Sequence, residues 1–275
     1  MPLTVNTNVA SLSAQRSMLN TNNALQTSFE RLASGKRINS ASDDAAGLAV
    51  SQSLTSAING VNQAMRNAND GISAAQIAEG ALSEVSDILQ RMRELAVQAN
   101  TSFLSATEKG YLQAEHDSLA DALDSVVGAA KFSGTALLNA ATTFTFQTGS
   151  AASNTSSFTS ADIDSETLSV AKTGGTNVVA LASANTQAFT DIDAAIVTVN
   201  GLRADFGAAI SEFESTVRNL ANVAENTSAA RSRIMDTDYA SETANLTKNQ
   251  ILQQASTSIL AQANQQPQAV MALLQ

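Results

Sequence analysis

The chain has 275 residues with 15 basic and 25 acidic side chains, one histidine, two prolines, and neither cysteine nor tryptophan. The missing cysteine excludes disulfides, zinc–thiolate sites and thiol nucleophiles, and the net charge of −10 argues against nucleic acid as partner of the main body. Pro2 and Pro267 leave the interior free of helix breakers, and an aromatic content of 4% favours thin helix-on-helix seams over a thick core.

The chain opens Met1-Pro2-Leu3-Thr4-Val5-Asn6, which has neither the basic nor the apolar region of a secretory signal, so export would need another address. Residues 3–34 keep helical spacing at Val5, Val9, Leu12, Leu19, Leu25, Phe29 and Leu32. The flanking Asn, Ser and Thr are mediocre helix formers, which predicts a helix that is marginal alone. Ser34-Gly35 stops it. A charged joint, Lys36 to Gly47, follows, and its Asp43 and Asp44 suit the N-terminus of the next helix.

That next helix is the longest, spanning about 44–100. Leu54, Ile58, Val61, Met65, Ala68, Ile72 and Ala75 recur in threes and fours, and after a slip near Ala78 the stripe resumes at Leu82, Val85, Leu89, Met92 and Ala96. Such a repeat predicts supercoiling against a partner helix. Residues 54–99 alone would extend about 70 Å. Ser105-Ala106-Thr107-Glu108 has the form of a capping box and opens a helix over about 105–129, with Tyr111, Leu112, Leu119, Leu123 and Val126 on one face. The short connection makes these two helices antiparallel neighbours.

Residues 131–188 read as a β-hairpin plus irregular surface structure. Thr143-Phe144-Thr145-Phe146-Gln147 alternates with period two, and Ser157-Phe158-Thr159 supplies the second strand. A second strong helix covers about 190–230, with Ile192, Ile196, Val199, Leu202, Phe206, Ala209, Phe213, Val217, Leu220 and Ala224 in register. It is the natural partner of the 54–99 helix. The predicted seam between them comprises Leu54, Ile58, Val61, Met65, Ile72, Leu82 and Leu89 against Ile196, Val199, Leu202, Phe206, Phe213, Val217 and Leu220. A second joint, Arg231 to Tyr239, leads into a last weak helix carrying Leu246, Ile251, Leu252, Ile259, Leu260 and Val270. The fold class is mainly α: long antiparallel coiled-coil helices forming a rod, with a small β-hairpin region mid-chain. Residues 1–42 carry a net +3, residues 239–275 carry zero and the middle carries −13. That distribution fits ends packed on other copies and a solvated middle.

Catalytic constellations are scarce. His116, as a lone histidine, reads as a helix-surface residue, and no phosphate loop, dinucleotide fingerprint or calcium loop is present. No cofactor or metal site is expected, and no enzymatic activity. Asn100-Thr101-Ser102 and Asn154-Thr155-Ser156 fit the glycosylation acceptor pattern, a weak signal by frequency alone. Arg91 and Arg93 form an exposed basic patch, read either as a solvated face with Arg91–Glu94 pairing or as a protein-binding epitope.

Several stretches resemble bacterial flagellin in a short form. They include Asn6-Thr7-Asn8-Val9-Ala10-Ser11-Leu12, Leu32-Ala33-Ser34-Gly35-Lys36-Arg37-Ile38-Asn39-Ser40-Ala41-Ser42-Asp43-Asp44, and Gln90-Arg91-Met92-Arg93-Glu94-Leu95. Ser232-Arg233-Ile234-Met235-Asp236-Thr237-Asp238-Tyr239 and Leu260-Ala261-Gln262-Ala263-Asn264-Gln265-Gln266-Pro267 add to them. The resemblance implies that residues 1–42 and 239–275 pair as an inner coiled coil that folds on assembly, with 43–238 as an outer rod domain. Filament-core packing would fall to Val5, Val9, Leu12, Leu19, Phe29, Leu32, Leu246, Ile251, Leu252, Ile259, Leu260 and Val270. It also implies uncleaved export through the flagellar type III channel to the extracellular flagellum. The implied partners are further copies of the chain, an export chaperone at the C-terminal segment, and hook-junction and cap proteins. A host Toll-like receptor would read Gln90, Arg91, Glu94, Leu95 and Glu115. Nucleic acid and membrane insertion are not implied. The alternatives are a hook–filament junction protein and a secreted monomeric helical adhesin; a zinc-protease insert is excluded by the lack of His-Glu-x-x-His.

Overall fold

The computed structural model describes residues 7–149, 151, 153–175, 180–181 and 186–272, with the side chains of 186 and 266–272 left out. In chain order the elements are α1 (Val9–Ser34), α2 (Ala45–Ala99), α3 (Ala106–Ala129), β1 (Lys131–Phe132), β2 (Thr135–Ala136), β3 (Thr143–Gln147), β4 (Thr155–Thr159), α4 (Thr186–Met235) and α5 (Tyr239–Ala272). The described residues fall into two compact units, one built from those up to 57 and from 226 onward, the other from 58–225.

In the first unit α1 and α5 run antiparallel. The Asn8 side-chain amide donates to the Ala263 carbonyl at 2.7 Å, Gln253 donates to Asn22 at 2.8 Å, and Arg31 faces Glu242 at 3.8 Å. Asn8 also caps α1 by accepting the Ser11 N–H. Gly35 ends the helix with φ 69°, the left-handed conformation that glycine adopts without steric cost. Beyond it the two joints bond to each other. Lys36 bridges Asp236, the Arg37 N–H donates to the Met235 carbonyl at 2.7 Å, and the Thr237 N–H donates to the Gly35 carbonyl at 3.0 Å. Asp43 accepts the Asn39 and Ser40 N–H groups, and these bonds, Ser40's foremost, hold its carboxyl below the usual range. Asp44 accepts the Gly47 N–H in the first turn of α2.

In the second unit α2 packs antiparallel to α4. Arg93 pairs with Asp193 at 2.6 Å, Glu79 with Arg203 at 3.0 Å, and Gly71 faces the Phe213 ring, so rising numbers on one helix meet falling numbers on the other. The buried stripe of α2 has no slip. Val61, Ala64, Ala68, Gly71, Ala75, Ala78, Leu82, Val85, Leu89, Met92, Ala96 and Ala99 are all buried in unbroken steps of three and four. The apparent break near Ala78 disappears because Ala78 is itself buried, three residues after Ala75 and four before Leu82.

Ser105 and Glu108 form the capping box at the start of α3. This helix turns His116, Ala120, Leu123 and Val127 inward and leaves Tyr111 72% exposed, which corrects both the surface reading of His116 and the inward reading of Tyr111. The spacing of 116, 120, 123 and 127 places the histidine on the same stripe as its apolar neighbours. A hairpin of β3 and β4 pairs Thr143 with Thr159 and Gln147 with Thr155. Its rings Phe144, Phe146 and Phe158 join Phe206 and Phe213 of α4 in one aromatic cluster with centroids 5.3–5.8 Å apart.

The stretch after β4 is irregular but is not surface structure: Ile163, Leu168, Val170 and Leu181 are buried. It is strapped to α3 by carboxylates one helical turn apart. Asp124 accepts the Ser165 N–H and Oγ–H, Asp121 pairs with Lys172 at 2.6 Å, and Asp117 accepts the Thr173 N–H.

Two predictions follow from this packing. A Cβ at Gly71 would lie 2.9 Å from the Phe213 ring, whereas one at Gly80 meets nothing within 4 Å. Chemical denaturation should therefore show Gly71→Val destabilising by about 1–3 kcal/mol, and Gly80→Ala stabilising by about 0.5–1 kcal/mol.

The second concerns acid. Burial pushes the His116 imidazole below its ordinary value, only partly offset by the Asp117 carboxylate 3.7 Å from Nδ1, and neither ring nitrogen has a hydrogen-bond partner among the described residues. A lowered folded-state value means that the unfolded chain takes up the proton first. Stability is therefore full at neutral pH and declines as pH falls below the unfolded value of about 6.5. Melting curves between pH 7.5 and 5.5 should show this decline, and His116→Leu should flatten it.

Candidate functional site

No group of three or more His, Cys, Asp or Glu side chains among the described residues could hold a metal ion. A cleft of about 430 Å³ in the second unit is lined by uncharged groups such as Thr148, Asn154, Ser215 and Asn219, which offer hydrogen bonds but no acid or base. What the molecule displays instead is apolar surface on its terminal helices.

The α1–α5 pair is closed by small and polar residues. Ser11, Ala14, Ser28 and Ala263 are buried, and the Ser11 hydroxyl donates to Asn264 at 2.8 Å. Small side chains let two helices approach closely, so this seam has no room for the bulky residues. Val9, Leu12, Leu19 and Phe29 of α1 and Ile251, Leu252 and Ile259 of α5 are exposed; Leu19 is 64% exposed. Leu32, Leu246 and Leu260 are half-buried. Val5 lies outside the described residues, and of Val270 only the backbone is described. The apolar stripe read from the sequence thus exists, but in the single chain it points away from the helix pair. Each isolated exposed Leu would be ordinary. Seven on two adjoining helices make a surface awaiting cover.

Of the predicted seam, Ile58, Val61, Leu82, Leu89, Val199, Phe206 and Phe213 are buried. Leu54, Met65, Ile72, Ile196, Leu202, Val217 and Leu220 are half-buried on its flanks.

The basic patch is a closed ion-pair network. Arg91 donates to Glu115 at 2.7 Å from one terminal nitrogen and at 3.1 Å from Nε, and to Glu94 at 2.9 Å from the other terminal nitrogen. Glu115 first, then Glu94, hold its guanidinium still more firmly protonated. Gln90, Arg91, Glu94 and Glu115 are exposed. Leu95 is not: it is fully buried in the core, because it follows Met92 by one step of the stripe, so it offers no side-chain surface. Reading by residue type missed the strap carboxylates Asp117, Asp121 and Asp124, although their spacing of four and three was a usable signal.

Residues 5–143 match the family described as bacterial flagellin N-terminal helical region, and residues 189–274 match the bacterial flagellin C-terminal helical region. The chain is 40% identical over 286 aligned positions to the flagellar filament 33 kDa core protein of Treponema phagedenis, covering 98% of this chain and 99% of that one. It is 38% identical to a flagellin of Bacillus subtilis, with 98% and 99% covered, and 37% identical to flagellin D of Vibrio cholerae, with both chains covered fully. By both helical regions and by these full-length relatives, the chain belongs to the bacterial flagellin family.

Proposed function

We propose that this chain is the structural subunit of a bacterial flagellar filament, polymerising through its terminal helices outside the cell. The observation that carries the reading is the outward apolar face of the α1–α5 pair, which nothing within the described residues covers. Copies packed side by side would bury it at about 25 cal/mol per Å² of apolar surface. Contacts between unlike patches repeat head to tail, and with a rotation that does not close the product is an open helical polymer. Export follows the flagellar type III route without cleavage, a chaperone shields the C-terminal segment beforehand, and cap and hook-junction proteins bound the polymer at its ends. The protein is a passive propeller element with no catalytic role.

A second reading concerns the same molecule outside the polymer. The exposed Gln90, Arg91, Glu94 and Glu115 form an ordered polar epitope, and the host flagellin-sensing Toll-like receptor reads it. Arg91→Ala should lower receptor-reporter signalling by roughly tenfold or more. Because the ion pairs are half-exposed, it should leave the melting of the second unit nearly unchanged.

Seeded polymerisation tests the filament reading. Purified chain mixed with sonicated filament fragments should elongate, followed by light scattering and electron microscopy. The variant Leu19→Ser with Ile259→Ser should keep its circular dichroism while its critical concentration rises by roughly tenfold or more. A wild-type chain that stays monomeric on seeds would instead favour the monomeric adhesin.

A further inference from the structure

Phe103 is 97% exposed, more than any other bulky apolar side chain among the described residues. It is held up by an ordered turn. The Asn100 N–H bonds Ala96 at 3.1 Å, the Leu104 N–H bonds Thr101 at 3.4 Å, and the Ser105 cap fixes the far side. Among the described residues nothing covers this ring. The same unit also carries a cavity of about 250 Å³, lined by Ala74, Phe132, Leu137, Phe144, Thr145 and Phe146 and open to solvent.

Phe103 cannot reach that cavity in its own chain. Ala74 and the end of α2 at Ala99 are separated by 25 residues of continuous helix, or about 38 Å. We infer that Phe103 inserts into the Phe132/Phe144/Phe146 cavity of a second copy of this chain, displaced along the α2 direction. This rests on the filament reading above and names one of its contacts.

Charge is complementary on the two sides. Glu108 and Lys109 follow the Phe103 turn, while Asp70 lies one turn from Ala74 on α2 and Lys131 adjoins Phe132 at the cavity. Lys109, Asp70 and Lys131 have no ion-pair partner among the described residues. Each side therefore offers one charge of either sign, which sets the orientation of the ring as it enters. Because knob and cavity are different patches, each copy still presents one of each after docking, so the contact repeats from copy to copy along the filament.

The natural chain lacks cysteine, so a crosslink is unambiguous. The variant F103C/T145C would be assembled on wild-type seeds and oxidised, beside the wild-type chain and F103A. The expected result is a ladder of disulfide-linked multimers from assembled F103C/T145C and none from its monomer, with the critical concentration of F103A raised by roughly tenfold or more. Wild-type filaments together with no ladder and an unchanged critical concentration for F103A would overturn the contact and leave the filament reading standing. Failure of the wild-type chain itself to polymerise would overturn both. Phe103 is exposed, so F103A should fold as the wild type does, and circular dichroism checks it.

Discussion

The face that α2 turns toward α4 is built over much of its length from small side chains. A Cβ at Gly71 would lie 2.9 Å from the Phe213 ring, and Ala64, Ala68, Ala75 and Ala78 continue the same narrow line. Dispersion contacts are individually weak but sum along a long helix, which compensates for the scarcity of large residues. The bulky residues are then spent at two places. Leu82, Val85, Leu89, Met92 and Leu95 meet the core under α3, and the five phenylalanines tie the β3–β4 hairpin to α4. A thin seam with two thick ends keeps a chain of 4% aromatic content well packed.

The terminal helices invert that arrangement. There the small residues close the internal pair and the large ones remain outside. Burial of a Leu or Ile stabilises by about 1.5–3 kcal/mol when complete, so a chain that leaves seven such groups in water has deferred that stabilisation to an encounter with other copies. The two units thus show opposite uses of one composition: in one the apolar stripe makes the fold, in the other it makes the surface.

Most of the helical architecture was legible because a period of three and four survives any choice of residue. The capping box at Ser105, the stop at Gly35 and the alternation in β3 were readable for the same reason: each is a local rule with a local cause. What escaped was set by small or polar residues in structural roles. Ala78 looked like a slip because alanine is a weak hydrophobic marker, yet it is as buried as Leu82. His116 looked solvated because histidines usually are, although its place four residues before Ala120 put it in the stripe. Leu95 matched a family pattern of recognition, and only its burial removed it from the accessible surface. The strap after β4 had no period to read; its order comes from three carboxylates on a helix distant in sequence.

The bridge between the two joints has a mechanical meaning. Gly35, Lys36 and Arg37 are bonded to Met235, Asp236 and Thr237 through backbone groups, and the Arg37 guanidinium adds a bond to the Ile234 carbonyl. Side-chain packing between helices can slide by fractions of a turn, but a backbone bridge changes register only by whole residues. The start of the first joint is thereby tied to the C-terminal end of α4 in one register. Gly35 is itself one of the bridging residues, and its positive φ is a conformation that side chains rarely adopt. The bridge fixes the register of the joint, and the direction in which α1 meets it turns on the φ of a single residue.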